Sequence, residues 1–382
     1  LAVAVGQHGV ASASGLWGSS LAAVTAALEN ELQRPILVLC GHIDEADDIA
    51  DDMELFHGRR PEVVPALELA GSLGHISEEQ VANRLQLVAK LAAAKQAGVS
   101  RQQAAGGRQQ SDGAPQAADS PLLVAPIHAV MQSVPSNDQL RELMWTLRPG
   151  MKLEPEKLIV WLADHGYNRL DQVEVPGDFA VRGGIIDVYL PGEHPESKEL
   201  VGLTVRLDFF DDELESIRTF DLDTLGSQDR LEQVTLIDLK GTLPDVSGST
   251  HLFTHLPDDT VIVLWAPLEI AEQARSYLDR LPSQQGIYPL SAVLKQTEKF
   301  ARIELSQFDQ GAVAQSSLVG DQVTHLRLPV QSLQRFETEI KKAIRELAEL
   351  AEDHEVVVFC ENEGEKKRLI EILDADAPGL RD

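Results

Sequence analysis

The sequence predicts an α/β protein: a parallel sheet covered by helices, interrupted by a smaller α+β insertion with an antiparallel sheet. Three observations carry this. Helical and strand periodicities alternate through the first third of the chain, which is the signature of βα units. Period-two patterns joined by tight turns take over between residues 178 and 220. Strand and helix signals then alternate again from Thr260 onward.

The run Gly15-Leu16-Trp17-Gly18-Ser19-Ser20-Leu21-Ala22 stands where a phosphate-gripping loop belongs. Such a loop needs G-x-x-x-x-G-K-[ST]: glycine lets the backbone curl around phosphate, lysine reaches the β and γ oxygens, and the hydroxyl holds Mg²⁺. Here Ser20 replaces the last glycine, Leu21 the lysine and Ala22 the hydroxyl residue. The residues Gly15, Gly18, Ser20, Leu21 and Ala22 are therefore predicted not to bind nucleotide. The surroundings still read as a nucleotide-binding unit. A helix over 21–32 is apolar at Leu21, Val24, Leu28 and Leu32, Gln33-Arg34-Pro35 closes it, and Ile36–Cys40 reads as a buried parallel strand. An ATPase scaffold without its chemistry suggests a module kept for what it binds.

A helix over 43–56 follows, with Ala46, Ile49, Ala50 and Met53 on one stripe. Ser77 and Gln80 form a capping-box pair before a helix carrying Val81, Leu85, Val88 and Leu91. Residues 98–120 are rich in Gln, Ala, Gly and Ser with one large apolar residue, Val99, and are predicted to be a mobile loop. Residues 122–127 are a strand. From 137 the character changes. Helices over 138–147 and 154–165 lead into strands Asp178–Arg182 and Ile185–Leu190, joined at Gly183-Gly184. Val201, Leu203, Val205, Leu207 and Phe209 mark one face of a long strand, and Asp211-Asp212 turns it into Glu213–Phe220. The return segment offers a strand at 260–264 and a helix at 269–281. A helix at 331–350, a strand at 355–360 and a helix at 364–373 start a further α/β unit. The expected division is 1–136 for the degenerate α/β half, 137–240 for the insertion, 241–325 for the return, and 326–382 for the following unit.

Composition narrows the function. The 382 residues are 43% apolar and carry a net charge of −28, from 61 acidic and 33 basic side chains. Aromatics are only 5%. A surface built to neutralise phosphates is basic, and one that stacks on bases is aromatic, so direct nucleic-acid binding is disfavoured over most of this surface. No run approaches the ~18 apolar residues of a membrane span, and no signal peptide opens the chain. Cys40 and Cys360, each closing an apolar run, are expected to be buried thiols in a reducing cytoplasm. The histidines show no zinc spacing, and consecutive acids such as Asp211-Asp212-Glu213 read as solvated rather than as a metal site. No catalytic constellation is visible.

The stretch from Tyr167 to Asp187, with its core Gly177-Asp178-Phe179-Ala180-Val181-Arg182-Gly183-Gly184-Ile185-Ile186-Asp187, strongly resembles a module shared by two protein families. So does Arg206-Leu207-Asp208-Phe209-Phe210-Asp211-Asp212 with the residues up to Asp221. These families are the excision-repair helicase UvrB and the bacterial transcription-repair coupling factors, also called Mfd. Arg148-Pro149-Gly150-Met151 resembles the lead into that module, and the interval from Gly15 to Pro35 matches as well. The likeness runs in order along essentially the whole chain. Departures separate the two families. The phosphate loop is degenerate; Trp265-Ala266 stand where a helicase carries Asp-Glu after Val261–Leu264; and the stretch at 67–76, where UvrB carries a long aromatic hairpin, is short and has no Tyr, Phe or Trp. The chain thus resembles the N-terminal UvrB-like part of a coupling factor.

The resemblance implies a function. In that family the insertion docks the damage-sensing ATPase UvrA, and Arg169 and Arg182 fall on arginines UvrB uses for the contact, whereas Ala180 replaces a further one. It also implies that RNA polymerase and DNA are engaged through other domains, with ATP and Mg²⁺ used by the motor and no cofactor needed by this chain. A distant C-terminal domain covers the docking face at rest in that family, so this chain, which lacks it, is expected to bind UvrA without activation. Two other functions stay open: a helicase or ATPase with an unconventional nucleotide site, and an autoinhibitory module packing on its own motor. The residues themselves leave alternatives too. Ala180 and Arg182 share a strand face opposite Phe179 and Val181, so Arg182 either meets a partner carboxylate or pairs with an acidic neighbour such as Asp187. Arg169 either serves docking or complements the end of the helix over 154–165, and Asp187 is expected as a polar, outward-facing residue.

Overall fold

A computed structural model describes residues 1–6, 9–67, 69, 78–105, 120–191, 202–240, 248–307, 324–330, 339–358, 360 and 362–377. Residues 1–328 form one compact unit and residues 329–382 another.

In chain order, the first unit opens with α1 (Ala2–Val5), β1 (Val10–Ser14), α2 (Ser20–Leu32), β2 (Ile36–Cys40), α3 (Ile43–His57), β3 (Glu62–Val63) and α4 (Glu78–Ala105). Then come β4 (Leu122–Pro126), α5 (Ile127–Met131), β5 (Val134–Pro135), α6 (Asn137–Leu143) and β6 (Met144–Leu147). The inserted sheet follows: α7 (Pro155–Asp164), β7 (Asn168–Leu170), β8 (Asp178–Arg182), β9 (Ile185–Leu190), β10 (Leu203–Phe210), β11 (Glu213–Phe220), β12 (Ser227–Arg230) and β13 (Val234–Ile237). The return consists of β14 (Ser249–Thr250), β15 (Val261–Trp265), α8 (Pro267–Arg280), α9 (Leu290–Thr297), β16 (Ala301–Leu305) and β17 (Thr324–Arg327).

β17, β1, β16, β15, β2, β4 and β3 form one sheet in that order, and every pair in it is parallel. Its central strands are apolar throughout because helices cover both faces, so no face needs polar residues. All five residues of β2, β4 and β15 are buried. The mixed α/β class expected from sequence is what the chain adopts. The insertion builds a second sheet in the order β12-β11-β10-β9-β8-β7, antiparallel except at the β7–β8 edge.

Several local expectations need correction. The helix expected over 138–147 stops at Leu143, because Trp145, Thr146 and Leu147 continue as β6 and pair with β13, with the Thr146 and Thr235 hydroxyls 2.9 Å apart. The loop expected at 98–120 begins late. α4 runs on to Ala105, through Gln and Ala residues that are strong helix formers, and 106–119 lie outside the described residues, as does the capping residue Ser77.

In the second unit, α10 (Ile340–Asp353) and α11 (Glu363–Asp376) are helical. The expected helix residues Leu333 and Phe336 lie outside the described residues. The strand expected at 355–360 is not formed over 355–358: no neighbouring strand among the described residues supplies partners there, and Val357 and Val358 are exposed. Cys40 is buried as expected, whereas Cys360 is only partly so.

A closed phosphate loop and a candidate docking face

The loop after β1 has the bend of a phosphate loop, with φ of +84° at Gly15 and +52° at Gly18. Several of its backbone donors, however, are already taken. Gly15 N–H donates to the Gln307 carbonyl and Leu16 N–H to that of Ser306, both at 3.2 Å. Trp17 N–H donates to Ser20 Oγ at 2.8 Å, and Leu328 N–H to the Ser14 carbonyl at 2.9 Å. A Cβ added at Gly15 would lie 2.5 Å from the Leu328 carbonyl oxygen, so the chain leaving β17 passes directly against this loop. Leu16, Leu21 and Ala22 are buried. The side chain in the lysine position thus belongs to the apolar core. At the end of β15, Trp265 donates from Nε1 to Glu45 Oε1 at 2.7 Å, and Ala266 follows with φ of +49°. Among the described residues, no group of three or more His, Cys, Asp or Glu side chains could hold a metal ion.

The inserted sheet is amphipathic by strand alternation. Phe179, Ile186, Val188, Val205, Leu207 and Ile217 pack with Leu158 and Leu162 of α7 into one core. On the other face, cross-strand pairing lines up Leu170, Ala180, Asp187, Arg206, Arg218 and Arg230 in one row. Arg182, Ile185, Asp208 and Ser216 form the adjacent row. The Gly183-Gly184 turn needs glycine: Gly183 has φ of +62°, and a Cβ on Gly184 would sit 2.7 Å from the Phe209 carbonyl.

This outer face is not uniformly solvated. Ala180, Val173, Tyr189 and Phe220 close into a small apolar cluster of their own. Ala180, which the resemblance puts in the place of a UvrB arginine, is therefore buried. Asp187 is buried too, contrary to the outward polar residue expected. It accepts from Arg206 Nε at 2.7 Å and Nη2 at 2.9 Å. That bidentate hydrogen bond raises the Arg206 pKa. Arg206 also donates from Nη1 to the Leu225 carbonyl at 3.0 Å and lies over the Phe220 ring, 4.9 Å from its centroid.

Asp187 is thereby occupied by Arg206, so the pairing considered for Arg182 does not form. Arg182 is exposed, and its Nη2 donates to the Asp171 carbonyl at 3.1 Å. Arg169 is exposed on edge strand β7 and has no hydrogen bond or ion pair among the described residues. Its cross-strand neighbour is Phe179, whereas Arg182 shares a face with Ala180. The two arginines thus leave the sheet on opposite faces, and the Asp171 contact brings the Arg182 fork back to the β7 edge. Leu170 and Val175 expose apolar surface at this edge. Sequence reasoning missed Arg206, Arg218 and Arg230; the period-two pattern of β10 and β11 was the signal that places the first two outward.

Residues 145–240 match the family model described as the UvrB interaction domain. Proteins named transcription-repair-coupling factor are similar over about half the chain. The one from Bacillus subtilis is 30% identical over 226 residues, 58% of this chain and 16% of its own length. Those from Haemophilus influenzae and Escherichia coli are 27% and 28% identical over 52% and 50% of this chain. The part of this chain that aligns spans 18% of each of those two relatives' own length. The likeness carried by residues 167–187 and 206–221 falls inside the matched domain.

Proposed function

We propose that this chain is a non-catalytic recruitment module of a transcription-repair coupling factor, docking UvrA on its inserted domain and so linking stalled RNA polymerase to nucleotide excision repair. One observation carries the reading: the span matching the UvrB interaction domain contains a sheet edge where Arg169 and Arg182 stand exposed with nearly all their donors available. A guanidinium fork engages carboxylates in a planar, bidentate fashion, and an acidic body around a basic spot favours an acidic protein groove over nucleic acid. The loop at Gly15 supports the non-catalytic part, since the N–H groups of Gly15, Leu16 and Trp17 serve their own chain. ATP, Mg²⁺, DNA and RNA polymerase are then the business of other parts of the longer protein, acting in the cytoplasm.

Calorimetric titration of UvrA into the wild type and into Arg169→Ala plus Arg182→Ala tests the site. Anchors of this kind contribute about 2–4 kcal/mol each, so each single variant should bind at least ~30-fold more weakly and the double variant, if the losses add, ~1000-fold. Equal binding by both proteins removes the assigned site. Binding to a separately expressed translocase motor, with none to UvrA, would favour the autoinhibitory role instead.

A further inference from the structure

Resting on that docking reading, we propose that Arg218 and Arg230 form a second anchor on the outer face of the inserted sheet, a clamp for an acidic side chain of the protein partner. The two residues lie directly opposite each other across β11 and β12. Arg206 occupies the next position in the same row. Like charges facing each other across a ladder are unfavourable unless an anion sits between them. Arg206 has its anion, Asp187, at 2.7 Å, whereas Arg218 has only a long ion pair with Asp208 and the Arg230 side chain has no ion pair among the described residues. Arg218 Nε is buried with no hydrogen-bond partner among the described residues. Its ion-pair partner, Asp208 Oδ2, is 4.0 Å away, too far for a hydrogen bond, and also accepts from Ser216 Oγ at 2.6 Å. Arg230 is exposed and has no hydrogen bond or ion pair among the described residues.

These side chains line an open hollow of about 710 Å³ whose walls include Gly184, Arg206, Asp208 and Phe209, with Glu215 also lining it. Gly184 belongs to the turn that follows Arg182, so the hollow continues from the first docking edge. Cβ atoms of directly opposed residues are ~5 Å apart, which lets two guanidinium forks converge on one carboxylate. The occupant is a carboxylate on a protein rather than a phosphate of nucleic acid. A polyanion long enough to be bound would meet the field of a chain carrying −28, whereas a single acidic side chain is presented locally.

The test uses the full chain. In an ¹⁵N-resolved spectrum of arginine side chains, hexaglutamate should shift the Arg218 Nε–Hε resonance, and Arg230→Gln should abolish that shift. No shift with hexaglutamate overturns the clamp, as does a larger shift with a DNA oligonucleotide at equal charge. UvrA titration separates this anchor from the first. Arg218→Gln plus Arg230→Gln should weaken UvrA binding ~10-fold and reduce its salt dependence, with an unchanged thermal midpoint. Wild-type affinity in that variant, alongside weakened binding in Arg169→Ala plus Arg182→Ala, overturns the clamp and leaves the docking reading standing. If the wild type does not bind UvrA at all, the docking reading fails and the hexaglutamate result alone decides the clamp.

Discussion

Asp187 is 3% exposed and accepts two hydrogen bonds from Arg206, so the pair belongs to the regime in which losing one partner strands a buried charge. Asp187→Ala should therefore destabilise the inserted domain by about 3 kcal/mol. Arg169→Ala and Arg182→Ala, which break at most one exposed contact, should stay within ~0.5 kcal/mol of wild type. Urea unfolding followed through Trp145 and Trp161, both packed on the insertion core, reads all three. A wild-type midpoint for Asp187→Ala would mean the pair does not hold the sheet. The contrast matters for function, because only arginines that are idle in folding can be tested for docking without confusion. Exposure of Arg182 was legible from alternation alone, since Phe179 and Val181 claim the inner face. Burial of Asp187 was not. Its partner Arg206 lies on the neighbouring strand β10, 19 residues away in sequence, and meets it only once the sheet forms.

At the scale of elements, α5 is a five-residue helix in which every side chain is buried. Arg84 of α4 ties down this region, donating to the carbonyls of Pro65, Ala129 and Gln132. Burial lowers the Arg84 pKa to about 10, so it stays charged and offsets its desolvation through those three carbonyls. His128 has no such compensation. Both ring nitrogens are buried without hydrogen-bond partners among the described residues, and the ring meets Tyr277 edge-on at 4.7 Å. Burial, with smaller contributions from Arg280 and His42, brings its pKa down from 6.5 to about 4. The folded state then holds fewer protons than the unfolded chain between those values. Stability contributed by neutral His128 is complete above pH 6.5 and is lost as pH falls toward 4, by roughly 3 kcal/mol. His128→Leu should remove that slope, seen as a shift of the variant-minus-wild-type unfolding free energy in the variant's favour by up to roughly 3 kcal/mol as pH falls from 6.5 to 4; parallel curves would show that the ring is not the titrating group. None of this could be read from the sequence, where His128 follows an apolar strand without any motif. Elements with strong periodicity, such as α3 and β8 to β11, were legible to within a few residues. β6 was not, because its strand identity depends on β13, some 90 residues away.

For the whole unit, the decisive relation joins residues far apart in sequence: the loop after β1, the end of β16 and the chain leaving β17. Sequence alone identified the missing lysine and hydroxyl, which are losses that point mutation could reverse. It could not show that Gly15 and Leu16 already donate to Gln307 and Ser306, or that Leu328 lies against Gly15. The two accounts predict different results for Ser20→Gly, Leu21→Lys and Ala22→Thr combined. If only side chains were lacking, the restored motif would regain nucleotide. A Kd near 10 µM at 1 mM ATP–Mg²⁺ would then stabilise the fold by ~2.7 kcal/mol, raising the thermal midpoint by several degrees. With the loop closed by its own backbone, ATP should leave the midpoint unchanged in both the wild type and the triple variant. The variant should also be less stable without ligand, since Leu21 is 3% exposed and a lysine there must bury or expel its charge. An ATP-dependent rise in the triple variant alone would mean that the Leu328 segment can be displaced and that the fold still retains a nucleotide site.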